Sequence, residues 1–286
     1  MLVIVGYIVV VCSVLGGFAL HGGRIAALFQ PFELLIILGG AIGAFVVGNN
    51  TKTLKATFGA LLPLLKGSKY TRARYMALMA LLFDILTKIR KEGMMSIERD
   101  LESPDESPVF ARHPELTSDH HLVEFVTDYL RMMVSGNLNP TEIETLMDHE
   151  IETHHAEGDG PAQAIQKMAD GLPAFGIVAA VMGVVNVMGS VGEPPAILGA
   201  KIGAALVGTF VGILLAYGFV GPLSGLIQQK LEESTKELQC VKVTLLACLQ
   251  GYPPLVAMEF GRKVLYSTER PTFGELETHV KQKHAA

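Results

Sequence analysis

Side chains able to carry chemistry gather in two kinds of place along this chain. One is a polar, helix-forming stretch holding His149, Glu150, His154 and His155, where the four-residue step from Glu150 to His154 would let two side chains share a metal. The stretch is acidic and has no HExxH pattern, so it reads as a solvated face and no metal site is assigned. The other is the interior of long apolar runs, where the polar exceptions are Asn186, Thr209 and Tyr217. Ionisable groups at membrane depth mark ion paths, and these three bring hydroxyls and an amide but no carboxylate. His21 and Glu33 stand at the ends of runs, where an interface solvates them. Such a chain cannot relay protons across a bilayer alone; if it conducts, a partner must supply the acid. No Ser-His-Asp spacing and no phosphate-cradling glycine loop is present, and the glycines lie in apolar runs or turns. The chain is therefore not expected to be an enzyme or to need a cofactor.

Composition fixes the setting of those runs. The 286 residues are 50% hydrophobic and only 18% charged, with 30 Gly, no Trp and a mean hydropathy of +0.39. Soluble domains are nearer a quarter charged. Three Cys cannot staple a small secreted scaffold, and a net charge of −5 argues against nucleic acid as a partner. A membrane protein with a sizeable polar part remains.

Charge spacing divides the chain. There are 18 uncharged residues between Glu33 and Lys52, 22 between Asp170 and Glu193 and 28 between Lys201 and Lys230, and the first charged side chain is Arg24. About 20 apolar residues cross ~30 Å of hydrocarbon as a helix. Four spans follow, at about 2–21, 33–50, 172–191 and 202–226. The first has no basic leader and is too long for a signal-peptide core, and Cys12 has no lipobox before it, so this span is expected to be retained. The expected organisation is a transmembrane hairpin over 1–50, a helical cytoplasmic domain over 51–171, a second hairpin over 172–226 and a tail over 227–286. The fold class is thus an all-α membrane protein, with the domain inserted between spans two and three. Lys52, Lys55, Lys66, Lys69, Lys230, Lys236 and Lys242 outnumber Arg24 and Lys201 on the short loops, which puts both termini in the cytoplasm.

The polar part reads as helical. Met76, Met79, Leu82, Phe83, Leu86 and Ile89 recur at helical spacing up to Gly93, and Leu122, Phe125, Tyr129, Leu130 and Met133 repeat this up to Gly136. Asn139-Pro140 opens a helix expected to reach about Ala156, and after the fourth span Leu231 to Leu249 continues with helical character until Gly251 and Pro253-Pro254. Inside the spans, Gly39/Gly43 and Gly208/Gly212 are GxxxG pairs, and Gly176, Ala180 and Gly183 give span three a small-residue face. Pro173 is either a helix start or a hinge; Pro222 lies inside an apolar run, where a lost backbone hydrogen bond makes a hinge.

The stretches LPAFGIVAAVMGVV (172–185), LVGTFVGILLAYGFVGPL (206–223) and QCVKVTLLACLQGYPPLVAMEFGRKVLYSTERP (239–271) carry a resemblance, as do GYIVVVCSVLGGF, ELLIILGGAIGAFVVGNN, SKYTRARYMALMALL and GMMSIERD. Together they resemble the flagellar stator branch of the MotA/TolQ/ExbB proton-channel family over nearly the whole chain. The resemblance implies a bacterial inner-membrane complex in which five copies surround a MotB dimer. MotB would supply the protonatable Asp and the peptidoglycan anchor, and proton flow would drive the ring against the rotor protein FliG.

By the same resemblance, Pro173 and Pro222 are conformational hinges, Thr209 and Tyr217 line the path near the partner's Asp, and Arg90 and Glu98 face FliG. Sodium-driven relatives carry a hydroxyl residue on span three where this chain has Ala180, which implies a proton path, since sodium needs a cage of oxygens. Other readings of the residues stand beside these. Arg90 is also a helix-end cation, Glu98 one acid among several, Thr209 able to bond its own helix, and Tyr217 ordinary packing. A TolQ- or ExbB-like energiser shares the physics, but the long segment between spans two and three and GMMSIERD disfavour it. Composition alone would also permit a membrane scaffold without an ion path.

Overall fold

The computed structural model describes residues 2–136 and 139–285, and among them every regular element is helical. In chain order the α-helices are α1 (Leu2–Leu20), α2 (Pro31–Val47), α3 (Thr51–Leu61), α4 (Arg72–Glu92), α5 (Glu98–Glu102), α6 (Pro108–Ala111), α7 (Pro114–Thr117), α8 (His120–Ser135), α9 (Pro140–Met188), α10 (Pro195–Ile213), α11 (Gly221–Leu249), α12 (Pro254–Val264) and α13 (Phe273–Ala285). Four stretches are long and apolar enough to cross a membrane: Leu2–Leu20, Ile25–Val47, Pro140–Met188 and Pro195–Leu249.

Local chemistry sets several of the boundaries. Asn50 caps α3 by accepting from the Thr53 N–H at 2.8 Å, and Asn139 caps α9 by accepting from the Thr141 N–H at 3.0 Å. Pro31 and Pro140 occupy first-turn positions, where a missing N–H costs nothing.

One helix runs past its expected end and another changes its winding part-way. The helix opened by Asn139-Pro140 does not stop near Ala156; α9 continues for 49 residues to Met188, with Pro161 and Pro173 inside it. Pro173 is therefore not a helix start. A proline removes one intrahelical hydrogen bond without ending a helix whose flanking turns are packed; around it Pro161, Ala162, Ala164, Ile165 and Leu172 are buried. The fourth span is regular only to Ile213. Leu214–Val220 is π-helical, closed by the Gly221 N–H bonding the Ala216 carbonyl, and helix resumes through Leu249. Pro222 brings no N–H and its ring crowds the preceding turn, which widens to the i−5 pattern.

Contacts divide the chain into two units, one of Met1–Gly67 with Gly158–Lys230 and the other of Ser68–Glu157 with Leu231–Ala286. These packing boundaries lie at other residues than the hydropathy boundaries near 50, 171 and 226, because α9 and α11 each extend beyond their apolar stretch.

In the first unit, Ile37, Ala41, Leu172, Ala179 and Ala216 form one small core, and Leu64, Ala162, Ile165 and Ile227 another. The hydroxyl of Ser224 donates to the Ala162 carbonyl at 2.7 Å, tying α11 to α9. Helix α1 buries no residue fully, and Leu2, Ile4, Val5, Ile8 and Val9 are exposed, as expected of a surface met by lipid or by another span.

The second unit has an ordinary packed core. Tyr75, Leu78, Leu82, Phe110, Phe125 and Leu130 are buried together with Leu238, Val241 and Leu245 of α11, Met258 of α12 and Leu276 of α13. The residues after 231 are thus part of one core with 68–157.

Candidate functional site

The site of the first unit is built where α9 and α10 cross with their backbones touching. A Cβ on Gly212 would lie 2.7 Å from the Leu172 carbonyl oxygen and 3.0 Å from the Gly176 Cα. One on Gly176 would lie 2.9 Å from the Gly208 oxygen, and one on Gly183 would lie 2.7 Å from the Ala205 Cβ. Only glycine permits this approach, as in small-residue membrane packing generally. The expected pair Gly208/Gly212 is therefore used, against the face begun by Gly176. The other expected pair, Gly39/Gly43, is not: a Cβ on either would meet nothing within 4 Å of this chain.

Ala180 and Thr209 both border this crossing, from α9 and α10 respectively. A Cβ on Gly208 would sit 3.3 Å from the Ala180 nitrogen, and one on Gly176 3.4 Å from the Thr209 Cα. Both residues are half-buried. Pro173, one turn before Gly176, enters the same helix pair from α9. Tyr217 does not join them. It lies in the π-helical segment, 69% exposed, and lines a groove of about 510 Å³ with Pro222 and with Tyr7 of α1. Tyr7 was not singled out by its sequence context: a lone tyrosine in an apolar run carries no periodic signal. Its hydroxyl donates to the Phe219 carbonyl at 2.9 Å.

The second unit presents the charged pair. Arg90 is in the last turn of α4 and Glu98 is the first residue of α5, and both are exposed. Between them Gly93 takes φ +88°, which a side chain would strain, and its N–H bonds the Ile89 carbonyl at 2.9 Å to end the helix. The turn is pinned from behind. Lys88 Nζ reaches Asp100 Oδ2 at 2.6 Å, and the Ser107 hydroxyl donates to Asp100 Oδ1 at 2.7 Å. These three positioning residues had no sequence signal, because Lys88 and Ser107 lie 12 and 7 positions from Asp100, outside the spacing of one helical turn. Beside Arg90 a small cavity is lined by Leu86, Ile89, Met94, Cys248 and Tyr252. Burial pushes the Cys248 thiol up despite Arg90 nearby.

The polar stretch set aside as a metal site is engaged otherwise. Glu150 accepts from the Tyr129 hydroxyl at 2.7 Å, whereas His154 turns its ring nitrogens to His121 at 2.6 Å and to Ser234 at 2.8 Å.

Comparison with known proteins decides the family. The motility protein A N-terminal family matches residues 4–93, and the MotA/TolQ/ExbB proton channel family matches 117–240. The chain is 54% identical to motility protein A of Salmonella typhimurium over 98% of this chain and 95% of the relative. The chain belongs to the MotA/TolQ/ExbB proton channel family. Within that family it is also 55% identical to motility protein A of Escherichia coli, again over 98% and 95% of the two chains. Its fold matches the structure of C. jejuni MotAB with a TM-score of 0.78 at 21% identity, covering 93% of this chain and 95% of that one. This MotA/TolQ/ExbB family member is a flagellar stator proton-channel subunit and a multi-pass protein of the bacterial inner membrane. In that light the α9–α10 crossing is the part of the channel protein where its third and fourth spans meet.

Proposed function

We propose that the chain works with a MotB-type partner, whose membrane aspartate carries the proton, to turn proton flow into torque on the rotor protein FliG. The observation that carries this reading is the composition of the spans. The crossing that holds Ala180 and Thr209 has hydroxyl and backbone groups at depth but no acid, so a carboxylate must come from outside the chain. Solved MotAB complexes of similar fold support a partner of this kind. In this reading five copies ring a MotB dimer in the lipid bilayer. Thr209, Tyr217 and Ala180 line the proton path, Pro173 and Pro222 are the hinges, and Arg90 and Glu98 meet FliG. In this reading the termini and the segments 51–171 and 227–286 are cytoplasmic, which the basic residues flanking the spans support. The hairpins are 1–50 and 172–226.

Vesicles containing the chain and its partner should take up protons, and deleting the gene should paralyse cells that still build filaments. Absence of conductance under every activating condition would leave only a scaffold. Normal swimming of the deletion strain, with increased detergent sensitivity, would favour an energiser of the envelope.

A further inference from the structure

The π-helical segment Leu214–Val220 stands at the point where the hinge reading needs a movable joint, and its support comes from another span. A π turn holds one residue more than the α pattern allows, and such turns persist only where their surroundings favour them. Here Gly221 donates back to Ala216, and Pro222 follows with no N–H to offer. Helix α1 lies close against this segment: a Cβ on Gly218 would approach Val10 Cγ1 to 3.1 Å. Val3, Tyr7 and Val10 share one face of α1, and Tyr7 alone of the three has a polar group. Its hydroxyl donates to the Phe219 carbonyl at 2.9 Å, while the two rings stand 5.0 Å apart at 32°. In hydrocarbon a backbone carbonyl has no water to turn to, so a hydroxyl from a neighbouring helix is a directional tether.

We propose that Tyr7 is a positioning residue of the stator cycle: its hydroxyl latches the Leu214–Val220 segment, and so sets the geometry of the joint before Pro222. This rests on the reading of Pro222 as a hinge. The ring fixes where the segment lies, and the hydrogen bond fixes which conformation of the joint is favoured.

The test uses the full chain with its partner, comparing wild type, Tyr7→Phe, Tyr7→Leu, Pro222→Ala and the Tyr7→Phe/Pro222→Ala double variant. Two readouts are taken at matched membrane abundance. One is amide exchange of residues 214–221 in lipid nanodiscs, and the other is the torque–speed relation of single stators. Tyr7→Phe should raise exchange in that segment ~fivefold, the worth of one hydrogen bond, and lower torque at high load at least twofold. Its effect should be non-additive with Pro222→Ala, since both act on one joint. If Tyr7→Phe matches wild type in both readouts and only Tyr7→Leu is impaired, ring packing alone matters and the latch is refuted. A silent Tyr7→Phe beside an impaired Pro222→Ala overturns the latch and leaves the hinge standing, whereas silence of both removes the hinge as well. Loss of Tyr7→Phe protein from the membrane would make the hydroxyl a folding contact, which also overturns the proposal.

Discussion

Arg74 grips Glu237 with two side-by-side hydrogen bonds, Nε to Oε1 at 2.6 Å and Nη2 to Oε2 at 2.9 Å, both of them buried. The same guanidinium reaches Asp119 Oδ2 at 2.6 Å and the Glu115 carbonyl at 3.1 Å, so one side chain joins α4, α11 and the approach to α8. Removing it strands a buried carboxylate. Arg74→Ala should cost about 3–5 kcal/mol in the unit that holds it, and Arg74→Lys should recover little, because lysine cannot bond in the paired manner. Thermal unfolding of the purified complex checks this. An unchanged transition in Arg74→Ala would show that the pair does not hold the core.

Asp119 in the same network gives an acid limit. Burial pushes its carboxyl up, but Lys69 at 2.6 Å together with Arg74 outweighs burial and holds it below its ordinary 3.8. A carboxyl depressed by folding contributes stability that is complete above its ordinary value and is lost as pH falls through the folded one. Destabilisation from this group is therefore expected below about pH 4, and Asp119→Asn should be less stable at neutral pH with a flatter acid limb. A pH series of unfolding midpoints decides it.

The imidazole pair acts at milder pH. Burial first, and then His121, lower His154 from its ordinary 6.5, while Glu157 and Asp119 pull the other way and His155 adds to the lowering. A histidine depressed in the fold contributes stability above its unfolded value and loses it as pH drops. The facing nitrogens of the two rings are 2.6 Å apart, so a second proton there would also be repelled. The second unit should weaken as pH falls from about 6.5. His121→Gln should flatten that slope, and an equally steep slope in the variant would assign it to other groups.

Glycine at the α9–α10 crossing cannot be replaced cheaply, whereas Gly43 can. Gly212→Ala drives a methyl to 2.7 Å from a backbone oxygen that cannot rotate away, at a cost of about 1–3 kcal/mol. Gly43→Ala meets open space in this chain and should leave its folding intact, with a small gain in helix propensity. Membrane abundance and melting of the two variants compare them directly. Equal behaviour would mean that the crossing tolerates a wider separation than its glycines impose.

Reversing the exposed charges tests the rotor reading. Neither Arg90 nor Glu98 is buried, so Arg90→Glu and Glu98→Lys should leave membrane assembly unchanged while torque falls. With Ala180 in the path, rotation should follow the proton gradient and ignore external sodium. Loss of protein from the membrane would assign the charges a folding role, and sodium-dependent speed would overturn the proton path.

What the sequence determined by itself was everything that depends on counting along the chain. Runs of 18, 22 and 28 uncharged residues imply spans, because hydrocarbon thickness sets helix length. Gly93 and Gly136 end helices, because few other residues adopt their positive φ. Tertiary structure decided what depends on who stands opposite. Gly208/Gly212 became a contact and Gly39/Gly43 did not, though the two motifs are alike in sequence. Pro161 and Pro173 failed to break α9, because burial around them outweighs one lost hydrogen bond. Tyr7 meets Phe219, 212 positions away, and Lys88 and Ser107 converge on Asp100 to hold the turn between Arg90 and Glu98. Local preference is written in neighbours a few residues apart, whereas the pairing of distant side chains is fixed only when helices pack.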